Sequence, residues 1–331
     1  MAIQSLGGLS AAQRTILEDR LEYTAFPKLI HGRWGKRRAV GPREGRAVTF
    51  ARLTQFGVAT TALSEGVSPE GEALTFTTAT VTPSRYGSFA YLTDELVDKG
   101  IFDIVIDVTD LLGAQSGRTS DRLVRELLRA NGTSQNADNT AEGSQTVANV
   151  LDAEELLEAL SVMEENDAQK FPELGDAYPL LMHPRVIYDL ERDPMLRNSF
   201  YYAAPRGPEN PAIAGFVGKG RWMDVMFFTS SDAYVNADGG SGTTDTYHSL
   251  LIGREHHAVA GYAALLADYA EGGTFKPGEG SIRPVEIIVH GREAYPPLNQ
   301  RESVAWKIDQ GQVELNSAFM LRIVSSSSIA G

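Results

Sequence analysis

Few residues of this 331-residue chain could do chemistry, and their spacing does not suit it. His256 and His257 are adjacent, so in an extended segment their rings point to opposite faces and cannot share a metal ion. No HExxH motif or carboxylate at ligand spacing accompanies them. The pair Gly218-Lys219 fails as a phosphate loop, which needs a glycine five positions earlier and Ser or Thr after the lysine; Ile213 and Gly220 stand there. Gly239-Gly240-Ser241-Gly242-Thr243 misses the nucleophile elbow at its last position. Glu154, Glu155, Glu158, Glu164 and Glu165 crowd one short helix, where acid and base work requires burial and a solvated charged face is the ordinary reading. The absence of cysteine removes disulfides, thiolate metal sites and thiol nucleophiles. No catalytic set, metal site or cofactor is expected.

Composition and charge describe a different kind of molecule. Apolar residues make up 42% of the chain and charged ones 22%, as in soluble globular proteins. The formal charge of −13 argues against wholesale coating by nucleic acid. No basic n-region precedes an apolar run and no apolar run approaches 18 residues, so neither a signal peptide nor a membrane span is expected. The charge is unevenly placed. Residues 1–46 hold nine of the 30 basic residues and four of the 43 acidic ones, net +5, which leaves the remainder at −18. Such an asymmetry reads as a solvated basic loop or as an arm laid on an acidic partner, either another copy of the chain or a polyanion.

The longest element is a helix predicted over 101–131. Asp103 is its N-cap, apolar stripes occupy its two ends, its middle is polar, and Gly132 closes it. About 29 residues span roughly 43 Å, enough for a strut across the whole molecule; a break near Gly113–Gly117 into two helices is the alternative. Upstream, Ser10–Leu29 is predicted to be helical with Ile16, Leu17 and Leu21 on its apolar face and Pro27 at its end. Ala47–Gln55 and Ala73–Thr82 alternate as two strands of a long hairpin, joined by a turn-rich acidic segment with Gly66, Pro69 and Gly71. These strands hold too few large apolar residues to form a core, so the hairpin should project and find burial against a neighbour.

Further along, Tyr86–Leu92 is a strand leading into the strut, and Thr133–Thr146 is polar and turn-rich. Leu151–Asn166 is a helix opened by the Asp152/Glu155 capping box, with Leu156, Leu160 and Met163 inward. Tyr178–His183 is a buried strand and Pro184–Leu190 a helix begun by proline. Residues 203–221 and 235–245 read as exposed loops, around which strands fall at Met223–Thr229, Ser249–Gly253, Val285–His290, Val304–Ile308 and Phe319–Val324. The irregular alternation gives a mixed α+β class without internal repeats.

A basic N-terminal arm, a projecting hairpin, a long spine helix and a mixed second half resemble the HK97-fold major capsid proteins of tailed bacteriophages. The residues that carry the likeness are FPKLIHGRWG, PREGRAVTFARLT, LSEGVSPEG, RYGSFAYLTDE and LLRANGT between Phe26 and Thr133, and SVAWKIDQGQVELNSAFMLRIVS over Ser303–Ser325. Their order and spacing are specific together, whereas 135–300 agrees in pattern only.

The resemblance implies a virion shell protein assembled in the host cytoplasm, with an arm at 1–46, an E-loop at 47–85, a P-domain at 86–146 and 283–331, and an A-domain at 147–282. Copies of itself, in hexamers and pentamers, are the first partners. A separate scaffold, a portal and cement proteins complete the set, with packaged double-stranded DNA bound non-specifically on the inner face. The short stretch before the hairpin is too small for a fused scaffolding domain, so a separate scaffold or none is implied. An encapsulin-like cargo shell and an enzyme with a dispersed site are the alternatives. Within a shell, Phe26 and Trp34 of the arm are expected to anchor in a neighbour's apolar notches while Lys28, Arg33, Lys36, Arg37, Arg38, Arg43 and Arg46 pair with its carboxylates. The hairpin tip, Glu65, Glu70 and Glu72, is expected to meet Arg118, Arg122 and Arg125 of an adjacent spine. Some relatives weld this loop covalently through a lysine; none occurs from 47 to 84, so a non-covalent shell is expected.

Overall fold

The computed structural model describes residues 16–17, 20–21, 23–25, 29–38, 47–53, 56, 58, 60, 62, 71–99, 104–196, 218–261, 285–290 and 300–329. A short helix, α1 (Asp94–Lys99), precedes the long spine, α2 (Ile104–Ala130), which runs without a break. The expected N-cap Asp103 lies outside the described residues. At the far end Gly132 takes φ +91°, the left-handed conformation that a helix closes on.

The spine stays whole across Gly113 and Gly117 because those glycines have a packing role. The described part of the N-terminal helical segment crosses the spine there, backbone against helix. A Cβ on Gly113 would stand 2.7 Å from the Leu21 carbonyl oxygen, and one on Gly117 would collide with that of Ala25. Leu17, Leu21 and Ala25 face inward at every fourth position, while Ile16, expected beside them, is exposed because it lies off that stripe. Arg20 forms a bidentate bridge to Asp110 of the spine (2.6 and 2.7 Å). Asp121, also on the spine, accepts from the backbone amides of Ile30 and His31 (2.8 and 2.7 Å).

Two sheets lie against this strut. In the five-stranded one, β1 (Lys36–Arg38) pairs in parallel with β11 (His257–Gly261), and β13 (Arg301–Glu314) pairs with β11, β12 (Val285–His290) and β4 (Ser84–Thr93). Val304, Trp306 and Ile308 of β13 pack on Leu92, Leu112, Leu17 and Leu21. Beyond that apolar patch the contact becomes polar. Ser120 Oγ donates to Gln310 Oε1 (2.6 Å), Gln310 Nε2 to the Ser120 carbonyl (3.0 Å), and Gln312 Nε2 to the Leu123 carbonyl (3.1 Å). The Trp306 indole reaches Gln115 Oε1 at 3.1 Å.

The seven-stranded sheet runs β5 (Thr133–Asn136), β14 (Met320–Ser325), β10 (Thr246–Ile252), β6 (Tyr178–Met182), β8 (Val225–Thr229) and β7 (Gly218–Trp222), with β9 (Val235–Asn236) on β10. Both faces of β6 and β10 are buried. One packs under α3 (Ala153–Glu165) and α4 (Pro184–Arg192) through Leu156, Met163, Val186 and Leu190. The other packs Leu181, Phe228, Leu250 and Ile252 on Val124 and Leu128 of the spine and on Trp34.

Several strands exceed their sequence expectation. β5 lies in the stretch 133–146 predicted as turns, and β7 reaches into the predicted loop 203–221; both are edge strands with little apolar content. β11 and the length of β13 escape a period-two reading because both faces are covered and polar residues are buried among them. The hairpin, β2 (Val48–Leu53) with β3 (Phe76–Val81), is in register Val48↔Val81 through Leu53↔Phe76. Its root is buried, Val48, Phe50 and Val81 lying on Ala258 and Ala260.

Gly117→Ala tests the crossing. Alanine should strengthen an ordinary helix by about 1 kcal/mol, yet here overpacking against Ala25 should leave a net loss of about 1–3 kcal/mol. Denaturant midpoints measure it, and a more stable variant would show that the two helices do not touch.

Candidate assembly surfaces

Among the described residues no group of three His, Asp or Glu side chains could hold a metal ion, and no described helix is long and apolar enough to cross a membrane. His256 and His257 are both fully buried, their rings 5.7 Å apart. Glu155, expected on a solvated face, is buried instead. It closes the capping box with Asp152 and accepts from the Asp138 amide (2.5 Å), and burial pushes its carboxyl up to about 7. That is a structural post at a helix start.

The surfaces that remain are built for contact. Arg118, Arg122, Arg125 and Arg129 recur along one face of the spine. Arg118 and Arg122, each more than half exposed, bridge Asp232 of the same chain at 3.5 and 2.9 Å. Arg125 is only 14% exposed; it donates to the Asp232 carbonyl and pairs with Glu126 at 2.5 Å. Its guanidinium and that of Arg129 flank the Tyr234 ring at 5.6 and 4.3 Å. Thus the three arginines expected at a neighbour's hairpin tip already meet partners at home, with Arg118 and Arg122 still open to solvent.

In the N-terminal segment, Trp34 is 4% exposed, and its ring centroid lies 5.4 Å from that of Phe171 and 5.0 Å from that of Phe228. It therefore anchors the segment in its own subunit, where an apolar notch of a neighbour was expected. Arg33 stacks over that ring, Arg37 donates to the Arg33 carbonyl, Lys36 faces Glu255 at 3.6 Å, and Arg38 reaches the Thr49 carbonyl at 3.3 Å. Glu72 is exposed. Phe26, Lys28, Arg43, Arg46, Glu65 and Glu70 lie outside the described residues.

One surface went unnoticed in the sequence. On β4 the odd-numbered residues face away from the spine, which exposes Phe89 by 57% and Tyr91 by 52% in an edge-to-face pair at 4.9 Å, with Arg301 over the Tyr91 ring. The signal was present in the alternation of YGSFAYL, once the even positions are assigned to the core.

Solved structures place this architecture. The capsid of Ralstonia phage GP4 superposes with a TM-score of 0.64 at 15% identity, covering 91% of this chain and 89% of that one. The capsid of cyanophage Pam1 gives 0.64 at 13% identity, with 92% of each chain covered. At such identities the likeness shows the fold alone, the HK97-like capsid fold. No curated protein matches the chain in sequence. Residues 77–308 match the family described as phage capsid protein, and the chain belongs to that family. It is a major capsid protein, a self-assembling component of the virion shell.

Phe89→Ser with Tyr91→Ser should cost the unassembled subunit only about 1–2 kcal/mol, the worth of the aromatic pair and of two strand positions, and leave it folded. Assembly should weaken, read by light scattering. Unaltered assembly would remove this patch from the contacts.

Proposed function

We propose that the subunit divides into an arm at 1–46, an E-loop at 47–85, a P-domain at 86–146 and 283–331 and an A-domain at 147–282, and builds hexamers and pentamers that close an icosahedral shell around a packaged genome. The observation that carries the reading is the pairing of a family match over residues 77–308 with a hairpin buried at its root and bare beyond it, Phe76 being 60% exposed. A fold that leaves such residues in water is finished by a neighbour.

The basic segment is the arm of this proposal. Lys28, Arg43, Arg46 and Phe26 lie along a neighbouring subunit and neutralise part of its acidic surface, with the exposed Lys36 and Arg38 at the rim, while Trp34, Arg33, Arg37 and the strand Lys36–Arg38 hold the base of the arm at home. Like copies carrying a net −13 repel, so contacts between them require such neutralisation. The hairpin tip, Glu65, Glu70 and Glu72, pairs with Arg118 and Arg122 of an adjacent spine, where Arg125 supports them from beneath. Each exposed pair contributes only about 0–1 kcal/mol, and many contacts per copy make the shell. Assembly takes place in the host cytoplasm with a separate scaffold, a portal and cement proteins as partners, and double-stranded DNA lies non-specifically on the inner face. The chain acts as a structural protein and not as an enzyme. A cargo shell of encapsulin type is the second reading, and the family match favours the first.

Replacing Lys28, Arg43 and Arg46 by glutamate should leave a soluble, folded subunit, since the core contacts of Leu17, Leu21 and Trp34 are kept, that forms no closed shells in negative-stain micrographs; normal assembly without DNA would show that the arm is no clamp. Glu70→Lys should lower particle stability while wild-type particles run as monomers on denaturing gels. Ladders above the monomer mass would sink the non-covalent shell.

A further inference from the structure

The two sheets are joined by two chain crossings that run side by side. One passes from β10 to β11 through Gly253–His256, the other from β13 to β14 through Leu315–Phe319. They are tied to each other. Gly253 N donates to the Phe319 carbonyl (2.7 Å), and Leu315 N and Asn316 N both donate to the His256 carbonyl (2.8 and 3.0 Å). The His256 ring completes the tie through Nδ1 to the Asn316 carbonyl at 2.6 Å. A carbonyl only accepts, so Nδ1 carries the proton and Nε2 holds a lone pair, which is buried without a hydrogen-bond partner. The His257 ring is enclosed beside it with neither nitrogen hydrogen-bonded, so tightly under Gly35 that a Cβ there would stand 2.6 Å from Nε2.

The groups around this joint are unsuited to a second positive charge. His31, hydrogen-bonded to Asp121 of the spine, and Arg37 of β1 both act on His257 from the N-terminal segment. Lys36 and Glu255 neutralise each other at the rim. Glu314 of β13, the register partner of His257, has one carboxylate oxygen buried without a hydrogen bond. Burial raises its proton affinity, so acid discharges this acceptor, and taken alone that titration would tighten the joint. The histidines act in the opposite sense.

We propose that the His256–His257 joint is a proton-operated release between the two sheets: neutral rings hold the crossings together, and protonation in acid loosens them while the body of each sheet stays folded. Burial lowers the proton affinity of both rings, His256 to about 4 and His257 well below its ordinary value. For a base whose folded value is depressed, the stabilisation is complete above the unfolded value of about 6.5 and is lost as pH falls from there toward the folded one. The open form should therefore gain about tenfold per pH unit for each histidine within that window. Shell proteins whose sheets must shift during assembly or maturation can use such a release without unfolding.

Hydrogen exchange of the full-length chain from pH 7.5 to 5.0, corrected for intrinsic rates, tests this. The proposal expects peptides over 253–260 and 312–319 to lose at least tenfold in protection while those over 153–165 and 301–309 keep theirs. It expects His257→Gln to diminish the loss. Retained protection at the crossings, uniform loss across all peptides, or an unchanged acid response in His257→Gln overturns it. Should that variant misfold, the wild-type contrast between crossings and sheets decides alone.

Discussion

Everything in the subunit depends on the close approach between the middle of the spine and the segments that cross it. Gly113, Ser116, Gly117 and Ser120 are small, so backbone and amide groups come near enough to bond. Here Gln310 takes both the hydroxyl and the carbonyl of Ser120. An all-apolar middle would be sticky and indifferent to sliding, whereas buried hydrogen bonds are costly to break and hold one register. With the register fixed, the apolar ends of the strut fall on different cores. Leu112 joins the five-stranded sheet, and Val124 and Leu128 join the seven-stranded one. Two sheets that meet each other at the tied crossings and at Val259 are thereby also held by one helix.

The charge pattern follows a similar division of labour. Basic residues at the spine and in the N-terminal segment are partly answered within the subunit, by Asp232, Glu126, Asp110 and Glu255. Those bridges hold the guanidinium groups in place at the surface. A side chain already ordered loses less freedom when a further partner arrives. The aromatic pair on β4 is likewise mutually supported before anything covers it.

The long spine, the hairpin and the capped helix α3 were legible in the sequence because their signals are local: a stripe of period 3.6, strands flanking turn residues, and Asp152 three residues before Glu155. Distance from partners determined what was missed. Nothing near Lys36–Arg38 announces a parallel strand, since its partner Ala258 lies more than 200 residues away. The burial of Trp34 follows from Phe171 and Phe228, which neighbour it only in space. The capping role of Glu155 was legible, but its burial was not, because the Asp138 amide that meets its carboxylate comes from outside the helix. The glycines of the spine were ambiguous for a related reason, as only the crossing segment shows that they mark contact and not a break.

The position of β13 and β14 in the chain has a bearing on biosynthesis. β13 lies inside the five-stranded sheet and β14 inside the seven-stranded one, and both follow the other described strands in sequence. A nascent chain emerging from the ribosome can form α3 or the hairpin early, because their contacts are local. Neither sheet can close until residues 301–325 have been made. Surfaces that depend on a finished sheet, such as the Phe89–Tyr91 face braced by β13, therefore come into being only after residues 301–314 have emerged. Synthesis itself thus delays self-association through that face until both sheets can close.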